Sequence, residues 1–377
     1  MVNTSFETLA LDMQIEILAR LPLKYLMRCM CVSKKWASLI RGEDFRSAYL
    51  LRSMARPRLL FVASRSRKFT RETCFHSVYQ EPPLLLSGKR QMLTDNHIAP
   101  VFTVSNPILG LLCHQGYNNE IVICNPGLKK FRNLPQIQVP EGASVRSFFG
   151  YDKVDKVFKV LCVCVPQTQF GAGWTSKEPK KYQVYTVRSD HEKPSFWRPI
   201  ICNDDHSVVT DEGLFNGGFL YYGARSSCNK PMVMRFNVSS EAFAVIKLPE
   251  EVDIDYHWRL VNYKGKVALV NTFDSKFKFN GVFEIWVRNE VDRKWDKDII
   301  KIPQWTESVD NYNVYFKGTT GTKELVFAPP NWFGEPLFVL YYDKATTNLR
   351  RFDIEGMDDQ HYSFHTFLDH VDSTWLM

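Results

Sequence analysis

The sequence lacks the long apolar runs and the leader segment that would assign it to a membrane or to the secretory route. No apolar stretch approaches the roughly 18 residues needed to cross a bilayer, so no membrane partner is expected. Glu7 and Asp12 interrupt the apolar residues at the start of the chain, a pattern that argues against a secretory signal. These absences predict a protein of the nucleus, the cytoplasm or both.

Cysteine is scarce and scattered, with nine residues in the chain. Several lie within apolar runs such as 160–165, and an odd number predicts reduced thiols that act as small core hydrophobes. The pairs Cys29/Cys31 and Cys162/Cys164 lack the second pair, or the nearby histidine pair, that a zinc site requires. We therefore expect no bound metal.

Catalytic signatures are also absent. The sequence contains no H-E-x-x-H and no G-x-S-x-G. Residues 170–174 contain G-x-G without a third glycine or a following helix pattern, so we predict a loop rather than a phosphate-binding turn. Asp152, Asp155 and the pair Asp204-Asp205 stand in predicted turns, where aspartate side chains bond to the backbone. We predict no catalytic residue, no cofactor and no enzymatic activity.

The charge balance is mildly basic, with a formal net charge of +7. Six lysines and arginines lie between residues 20 and 41, and residues 52–71 contain no acidic residue. This cluster favours an acidic protein partner, and the alternative is a solvated helix face followed by a linker. The net charge is too small to indicate a basic surface that binds nucleic acid, so no nucleic-acid partner is expected.

The first part of the chain, residues 8–55, has the apolar spacing of short helices. Met13 and Ile17 stand one helical turn apart, and Pro22 ends the first helix. We predict three further helices: Tyr25 to Cys31, Lys34 to Arg41 with Ser33 as N-cap, and Glu43 to about Ser53. Helices this short bury little surface among themselves, so the module is expected to lean on a partner or on the next domain.

From about Arg58 onward, short apolar runs separated by turn residues replace the helical spacing. Aromatic residues make up 14% of the chain, which favours a folded, strand-rich domain. One short helix is predicted in this region, at Glu250–Tyr256. The predicted strands are Leu59–Ala63, Leu109–Cys113, Glu120–Cys124, Val157–Val165, Tyr182–Val187, Phe219–Tyr222, Val233–Val238, Lys266–Thr272, Phe283–Val287 and Leu337–Tyr342.

The strand region repeats a unit that closes on an apolar residue next to a proline. Pro135, Pro199, Pro249 and Pro303 mark four such ends, which stand 64, 50 and 54 residues apart. A repeat of about 50 residues with about four strands is the size of a propeller blade. We predict an α+β multidomain protein, in which a helical module (1–55) precedes an all-β, propeller-like domain (56–377). A sandwich or an open β-solenoid is the alternative.

The helical region contains five short elements in order, Leu9-Ala10, Glu16-Ile17-Leu18, Leu21-Pro22, Cys31-Val32-Ser33-Lys34 and Trp36. Their order and spacing resemble an F-box. That motif contains an opening Leu-Pro, a Glu-Ile-Leu, a second Leu-Pro, a Cys-Val-Ser-Lys and a Trp. Only the opening element departs from the pattern, since Ala10 replaces a proline that would pre-organise the start of the first helix.

The strand region resembles the F-box-associated domain of plant F-box proteins, and the two resemblances together span nearly the whole chain. They imply a non-catalytic substrate receptor of a Skp–cullin–F-box (SCF) ubiquitin ligase. The direct partner would be a Skp-family adaptor, which joins the chain to a cullin and a RING protein, and the captured molecule would be an unidentified protein substrate. The shared segments are Gly110–Cys113, Ile123–Pro126, Leu134-Pro135, Phe149–Val154, Trp197-Arg198, His365–Phe367 and Val371–Ser373.

Carried over residue by residue, the resemblance implies that the adaptor contacts lie on the helices. A core-packing role is the alternative for each position. For the whole chain, the alternative is a propeller-like binding protein whose divergent helical cap does not enter a ligase. The expected adaptor-binding residues are Leu9, Ile17, Leu18, Leu21, Pro22, Leu26, Val32 and Trp36.

No motif identifies the substrate-binding residues, which we expect in loops of the strand region. Trp174, Trp305, Trp332 and Phe333 stand in predicted loops and are candidate anchors, because exposed aromatic side chains often dominate binding surfaces. Burial in the core is the alternative for these four residues.

Overall fold

In the computed structural model, four short helices precede six antiparallel β-sheets that form a six-bladed β-propeller. This confirms the propeller-like prediction and excludes the sandwich and the solenoid. The structure describes residues 6–67, 70–80, 93–95, 101–116, 118–139, 143–166, 182–188, 195–255, 257–272, 280–309, 312–329, 337–354 and 361–376.

The helical module begins with a short 3-10 turn (Phe6–Thr8) and continues with α1 (Leu11–Ala19), α2 (Leu23–Val32), α3 (Lys34–Arg41) and α4 (Glu43–Met54). Pro22 separates α1 from α2, as its missing N–H and fixed φ require. The Ser33 hydroxyl accepts a hydrogen bond from the backbone N–H of Trp36 at 3.1 Å, which confirms Ser33 as the N-cap of α3.

The core of the module is small. Leu18, Leu26 and Phe45 are almost completely buried within it. It is completed by Leu128, a propeller residue that packs into the same cluster. The helices therefore share part of their hydrophobic core with the β-domain, as expected for a module too small to bury its own surface.

The strands follow one another blade by blade. Blade 1 contains β1 (Arg58–Arg67), β2 (Thr70–Tyr79) and β3 (Leu93–Asp95). Blade 2 contains β4 (Val101–Val104), β5 (Leu112–Gly116), β6 (Ile121–Asn125) and β7 (Lys130–Asn133). Blade 3 contains β8 (Ala143–Asp152), β9 (Val157–Pro166), β10 (Tyr182–Val187) and β11 (Arg198–Ile200).

The second half of the propeller follows the same plan. Blade 4 contains β12 (His206–Val208), β13 (Leu214–Asn216), β14 (Phe219–Ser226), β15 (Pro231–Asn237) and β16 (Phe243–Lys247). Blade 5 contains β17 (Trp258–Tyr263), β18 (Lys266–Asn271), β19 (Val282–Asn289) and β20 (Lys294–Lys301). Blade 6 contains β21 (Tyr315–Thr319), β22 (Leu325–Ala328), β23 (Phe338–Asp343) and β24 (Asn348–Asp353), and β25 (His361–His370) ends the series.

The last strand closes the ring. β25 pairs antiparallel with β1, with Val62 opposite His365, and so becomes the innermost strand of blade 1. Blade 4 departs from the others because two short strands, β12 and β13, share its innermost position along β14. Closure between the two ends of the chain removes the exposed edges that an open sheet would leave.

Six hydrophobic clusters fill the spaces between neighbouring blades. On β1, Leu60 and Val62 pack toward blade 2, whereas Leu59 and Phe61 pack toward blade 6. Successive side chains of a strand point to opposite faces, and here both faces are buried. This explains why the predicted strand Leu59–Ala63 is apolar at every position instead of alternating.

One sequence prediction about the strand region was wrong. The described part of Glu250–Tyr256 (residues 250–255) is a turn followed by irregular chain rather than a helix. A short helix, α5 (Trp305–Val309), occurs instead after blade 5. Of the two alternatives for Trp305, burial applies, because its ring is buried between blades 5 and 6 and stands edge-on to Phe327 at 5.3 Å.

Candidate docking site

The structure divides the eight predicted adaptor-binding residues by exposure. Leu18 and Leu26 retain 2% and 0% of their surface and belong to the core of the module. A side chain so buried cannot meet a partner unless the helices move, so packing accounts for these two positions. Leu9, Leu21 and Trp36 are half-buried, and Ile17, Pro22 and Val32 are exposed. For these six, adaptor contact stays a prediction.

Further apolar side chains that were not predicted as contacts are also exposed on α1 and α2. Leu11, Met13 and Tyr25 retain 59%, 51% and 40% of their surface. Met13 lies one turn before Ile17 on α1, and side chains four residues apart share one face of a helix. That spacing, one residue out of step with Gln14 and Leu18, could have identified Met13 from the sequence. We call the exposed residues Leu11, Met13, Ile17, Pro22, Tyr25 and Val32 the docking surface.

Basic side chains surround this surface. Lys24 and Arg28 flank the ring of Tyr25, with their charged groups 4.8 Å and 5.6 Å from its centre. Both side chains are exposed, as are Arg20, Lys34 and Lys35. Exposed cations beside an apolar patch favour an acidic partner, mainly by accelerating its association.

The start of α1 keeps the geometry of the missing proline. Ala10 has φ −58° and ψ 149°, which a proline would also adopt. Gln14 is buried and donates a side-chain hydrogen bond to the carbonyl oxygen of Leu9 at 2.7 Å. This bond ties the chain before α1 to its first turn, so the replacement by Ala10 leaves the local backbone intact.

Restoring the proline by Ala10→Pro is expected to stabilise the chain by roughly 0.5 kcal/mol, since the ring would restrict the unfolded chain without straining the folded one. Among the described residues, no hydrogen bond from the Ala10 N–H would be lost. Urea unfolding of the full chain measures the effect, with Ala10→Gly as the control that should change stability in the opposite direction. A destabilising Ala10→Pro would contradict this view of the helix start.

A C-terminal clasp, the segment Val371–Leu376 that follows β25, fixes the docking module to the propeller. Asp372 forms a two-contact ion pair with Arg58, the first residue of β1, with N–O distances of 2.8 Å and 3.1 Å. The Arg58 guanidinium also donates to the Tyr79 hydroxyl at 2.8 Å. On the helical side, the Asp372 N–H donates to the Ser53 hydroxyl of α4 at 2.7 Å. The clasp therefore joins the first and last strands of the propeller to the last helix of the module.

Further contacts hold the clasp from blades 2 and 3. The Asn125 side-chain amide donates to the carbonyl oxygens of Ser373 and Trp375, at 2.8 Å each. The Trp375 ring stands edge-on to Phe158 at 5.0 Å, and Arg46 of α4 lies over the same ring at 4.9 Å. Asn125 belongs to the motif that resembles the F-box-associated domain, and this contact gives it a structural role.

Two further contacts, one at Gly110 and one at Lys156, complete the attachment. A side chain at Gly110, which has φ +83°, would come within 2.5 Å of the Ser373 side chain, so only glycine fits there. Lys156, in the turn between β8 and β9, forms an ion pair with Glu43 of α4. This exposed pair adds little to stability. The buried clasp is thus the main attachment between the two parts of the chain.

Burial dominates the electrostatics of the clasp. It raises the pKa of Asp372 above its usual value, and the nearby Arg58 offsets only part of that rise. Burial also raises the pKa of Tyr49 of α4, and the Asp372 charge adds to this effect. An ion pair in such surroundings is costly to break, because either partner left alone would be a buried, uncompensated charge.

The helical module occupies one face of the propeller, which we call the module face. The contacts with Lys156, Leu128 and Asp372 all involve segments that follow an innermost or third strand of a blade. Because adjacent strands are antiparallel, the connections after the second and fourth strands leave from the opposite end, the far face. Trp174, Trp332 and Phe333 lie outside the described residues, so their prediction as anchors is unaffected.

The described part of the chain contains no cluster of His, Cys, Asp or Glu that could hold a metal ion. The thiols are free, and Cys74, Cys113, Cys124, Cys162 and Cys164 are buried as predicted. No helix among the described residues is long and apolar enough to span a bilayer.

The chain combines a small helical module that exposes apolar side chains with a propeller whose far face the module does not contact. This arrangement defines a two-part binding protein. Residues 6–47 match the F-box domain, and residues 58–371 match the F-box associated beta propeller domain. The chain belongs to the F-box proteins that carry this propeller.

Several proteins of Arabidopsis thaliana resemble this chain along its whole length. One named as an F-box protein is 58% identical over 380 residues, and the match covers 100% of both chains. An F-box/kelch-repeat protein is 32% identical over 379 residues, covering 98% of this chain and 93% of its own. The F-box protein DOR is 30% identical over 392 residues, covering 100% of this chain and 95% of its own.

Proposed function

We propose that this chain is the substrate-recognition subunit of an SCF-type ubiquitin ligase in the nucleus, the cytoplasm or both. Its docking surface binds a Skp-family adaptor, which links it to a cullin and a RING protein, and its propeller holds a protein substrate. The observation that carries the proposal is the exposed apolar surface of α1 and α2 on a module that matches an F-box. Exposed apolar patches on small modules mark binding surfaces.

The chain acts in this proposal by position rather than by chemistry. Ubiquitin transfer is done by enzymes that the adaptor recruits, and the chain raises the effective concentration of substrate lysines near them. The clasp serves this role, because a fixed angle between module and propeller limits the volume that a bound substrate can explore. The far face is the expected substrate surface, since the module face is partly covered by α2 and α4.

Proximity labelling in plant cells tests the receptor role with the full chain fused to a biotin ligase. The comparison variant is Ile17→Asp with Val32→Asp, which alters only exposed positions of the docking surface. Substrates labelled by the unchanged chain should accumulate when the proteasome is inhibited, and should accumulate with the variant even without inhibitor. Labelled proteins whose abundance responds to neither change would point to a binding protein outside the ligase.

A further inference from the structure

The central channel of the propeller contains a group of charged side chains supplied by five of the six blades. Glu212 lies between β12 and β13, and its carboxylate is 3.6 Å from the His365 ring of β25. Its neighbour Asp211 forms an ion pair with Arg146 of β8 at 3.2 Å. Glu212 also interacts with Arg259 of β17 and Lys317 of β21. All these residues lie on innermost strands or segments, so their side chains surround one channel.

Solvent reaches this group although it lies at the centre of the domain. The Glu212 and His365 side chains keep 34% and 23% of their surface exposed. A cavity beside them is bounded by Asp211, Glu212 and the polar residues Thr103 and Ser147 of blades 2 and 3. The charged group is therefore in contact with solvent at Glu212 and His365.

An irregularity in β21 places Lys317 in this group. The pairing of β21 with β22 skips Lys317, because Phe316 lies opposite Phe327 and Gly318 lies opposite Val326. Gly318 has φ +131° and approaches the backbone of Asn262 in blade 5 so closely that a side chain would contact its carbonyl oxygen at 3.0 Å. Such a bulge leaves one residue unpaired with the neighbouring strand and redirects its side chain. Bulges are common beside binding sites.

Among the described residues, the charges in the channel do not balance. Three basic side chains, Arg146, Arg259 and Lys317, accompany the carboxylates of Asp211 and Glu212, and His365 adds another positive charge when it is protonated. Although burial alone would raise the pKa of Glu212, its hydrogen bond to His365 and the nearby cations lower that pKa to about 2. Glu212 therefore carries its charge at neutral pH, and the basic side chains of the group outnumber its two carboxylates.

Lys317 carries this excess. Among the described residues, its ammonium group makes no hydrogen bond and no ion pair, and it lies 5.9 Å from the centre of the Tyr315 ring. Burial lowers its pKa to about 8, an effect that Arg259 reinforces and that Glu212 offsets in part. An ammonium held away from bulk water without a partner is stabilised by any anion that reaches it.

We infer that the channel holds an anion-binding site at Lys317 and Arg259, for a phosphate or carboxylate group. The cavity on the opposite side of the group is bounded by Asp211 and Glu212, which repel an anion and so direct it toward blades 5 and 6. Charge-assisted hydrogen bonds from an ammonium and a guanidinium are the usual means of holding such groups. The site lies apart from the docking surface and does not depend on the proposed ligase role.

Titration of the full chain with inorganic phosphate, at constant ionic strength and pH 7, tests the inference through the thermal unfolding midpoint. The unchanged chain should show a saturable rise. Lys317→Met should weaken the apparent phosphate affinity at least about tenfold, and Lys317→Arg should restore most of it. Lys323→Met, at an exposed lysine of the turn after β21, is the matched control and should behave like the unchanged chain.

Two further measurements are needed. One distinguishes free phosphate from a phosphate group carried on a protein, and the other tests the anion site independently of the proposed ligase role. Acetyl-phosphoserine amide replaces inorganic phosphate in a second titration, and tighter binding of the amide would assign the site to a group carried on a protein. An adaptor-binding assay should give equal affinity for Lys317→Met and the unchanged chain. Saturable phosphate binding that survives Lys317→Met, or its absence from the unchanged chain, would show that the channel charges serve only to hold the blades together.

Discussion

Replacing Asp372 by alanine is expected to lower the free energy of unfolding by about 3 kcal/mol. The variant would leave the Arg58 guanidinium without its carboxylate in a site where the two side chains keep only 16% and 12% of their surface exposed. Burial already dominates the pKa of Asp372, which shows that attraction between the partners offsets only part of the cost of removing them from water. Removal of Asp372 leaves the Arg58 guanidinium removed from water without a compensating charge.

A double variant, Arg58→Met with Asp372→Leu, distinguishes the effect of an unpaired buried charge from the effect of altered side-chain packing. Removing both charges together should restore most of the stability, because no unpaired charge remains. Urea unfolding of the full chain, followed by intrinsic tryptophan fluorescence, compares the three proteins. Trp375 stands within the clasp and should report its release. A single variant within about 0.5 kcal/mol of the unchanged chain would contradict a structural role for the clasp.

Ile17→Asp combined with Val32→Asp is expected to weaken adaptor binding at least about 100-fold. Both side chains are exposed on the free chain, at 42% and 67%, so the substitutions should leave the module folded. In the complex, each carboxylate would lie in an apolar interface without a partner and would lose its hydration. Surface plasmon resonance against an immobilised Skp-family adaptor measures the change.

The control for this experiment is Val291→Asp, in the turn between β19 and β20 of the propeller, where the valine is 90% exposed. It introduces the same chemistry away from the helices and should leave adaptor affinity unchanged. Leu26→Asp is unsuitable as a test because Leu26 is completely buried, and its loss of binding would report unfolding. Undiminished binding by the Ile17 and Val32 variant would show that the docking surface is assigned to the wrong face.

Local signals in the sequence predicted the elements of this fold well. Ser33 and Gly42 bounded α3 because capping depends on a few neighbouring residues. Four proline-marked ends fell at the fourth strands of blades 2 to 5, since each blade repeats the same pattern of strands and turns. The doubly buried strands were visible as continuous apolar runs. These features depend on residues close together in the chain.

Contacts between distant segments could not be predicted in the same way. The clasp joins residues that lie 314 positions apart, Arg58 and Asp372, and no local pattern specifies that pairing. Burial of Leu18 and Leu26, but not of Ile17, depends on how α1 and α2 pack against α3 and α4. For Trp305, local sequence did not decide between exposure and burial, whereas in the structure two blades enclose it.

The channel charges show the same limit. Asp211, Glu212, Arg259 and Lys317 stand in unremarkable sequence contexts, and only closure of the ring brings them together with His365. The bulge that places Lys317 in the channel depends on the pairing of β21 with β22, which the sequence does not reveal. A basic residue followed by glycine within an inner strand is the one local signal that could have indicated it.

The most direct measurement for the proposed function is a calorimetric titration of the purified full chain with a purified plant Skp-family adaptor. The account predicts a complex with one adaptor per chain and a negative heat-capacity change, because the docking surface is apolar. It also predicts that adding a cullin–RING pair to that complex gives a single larger assembly. No complex at micromolar concentrations, with the chain shown to be folded, would contradict the assignment of this protein to a ubiquitin ligase.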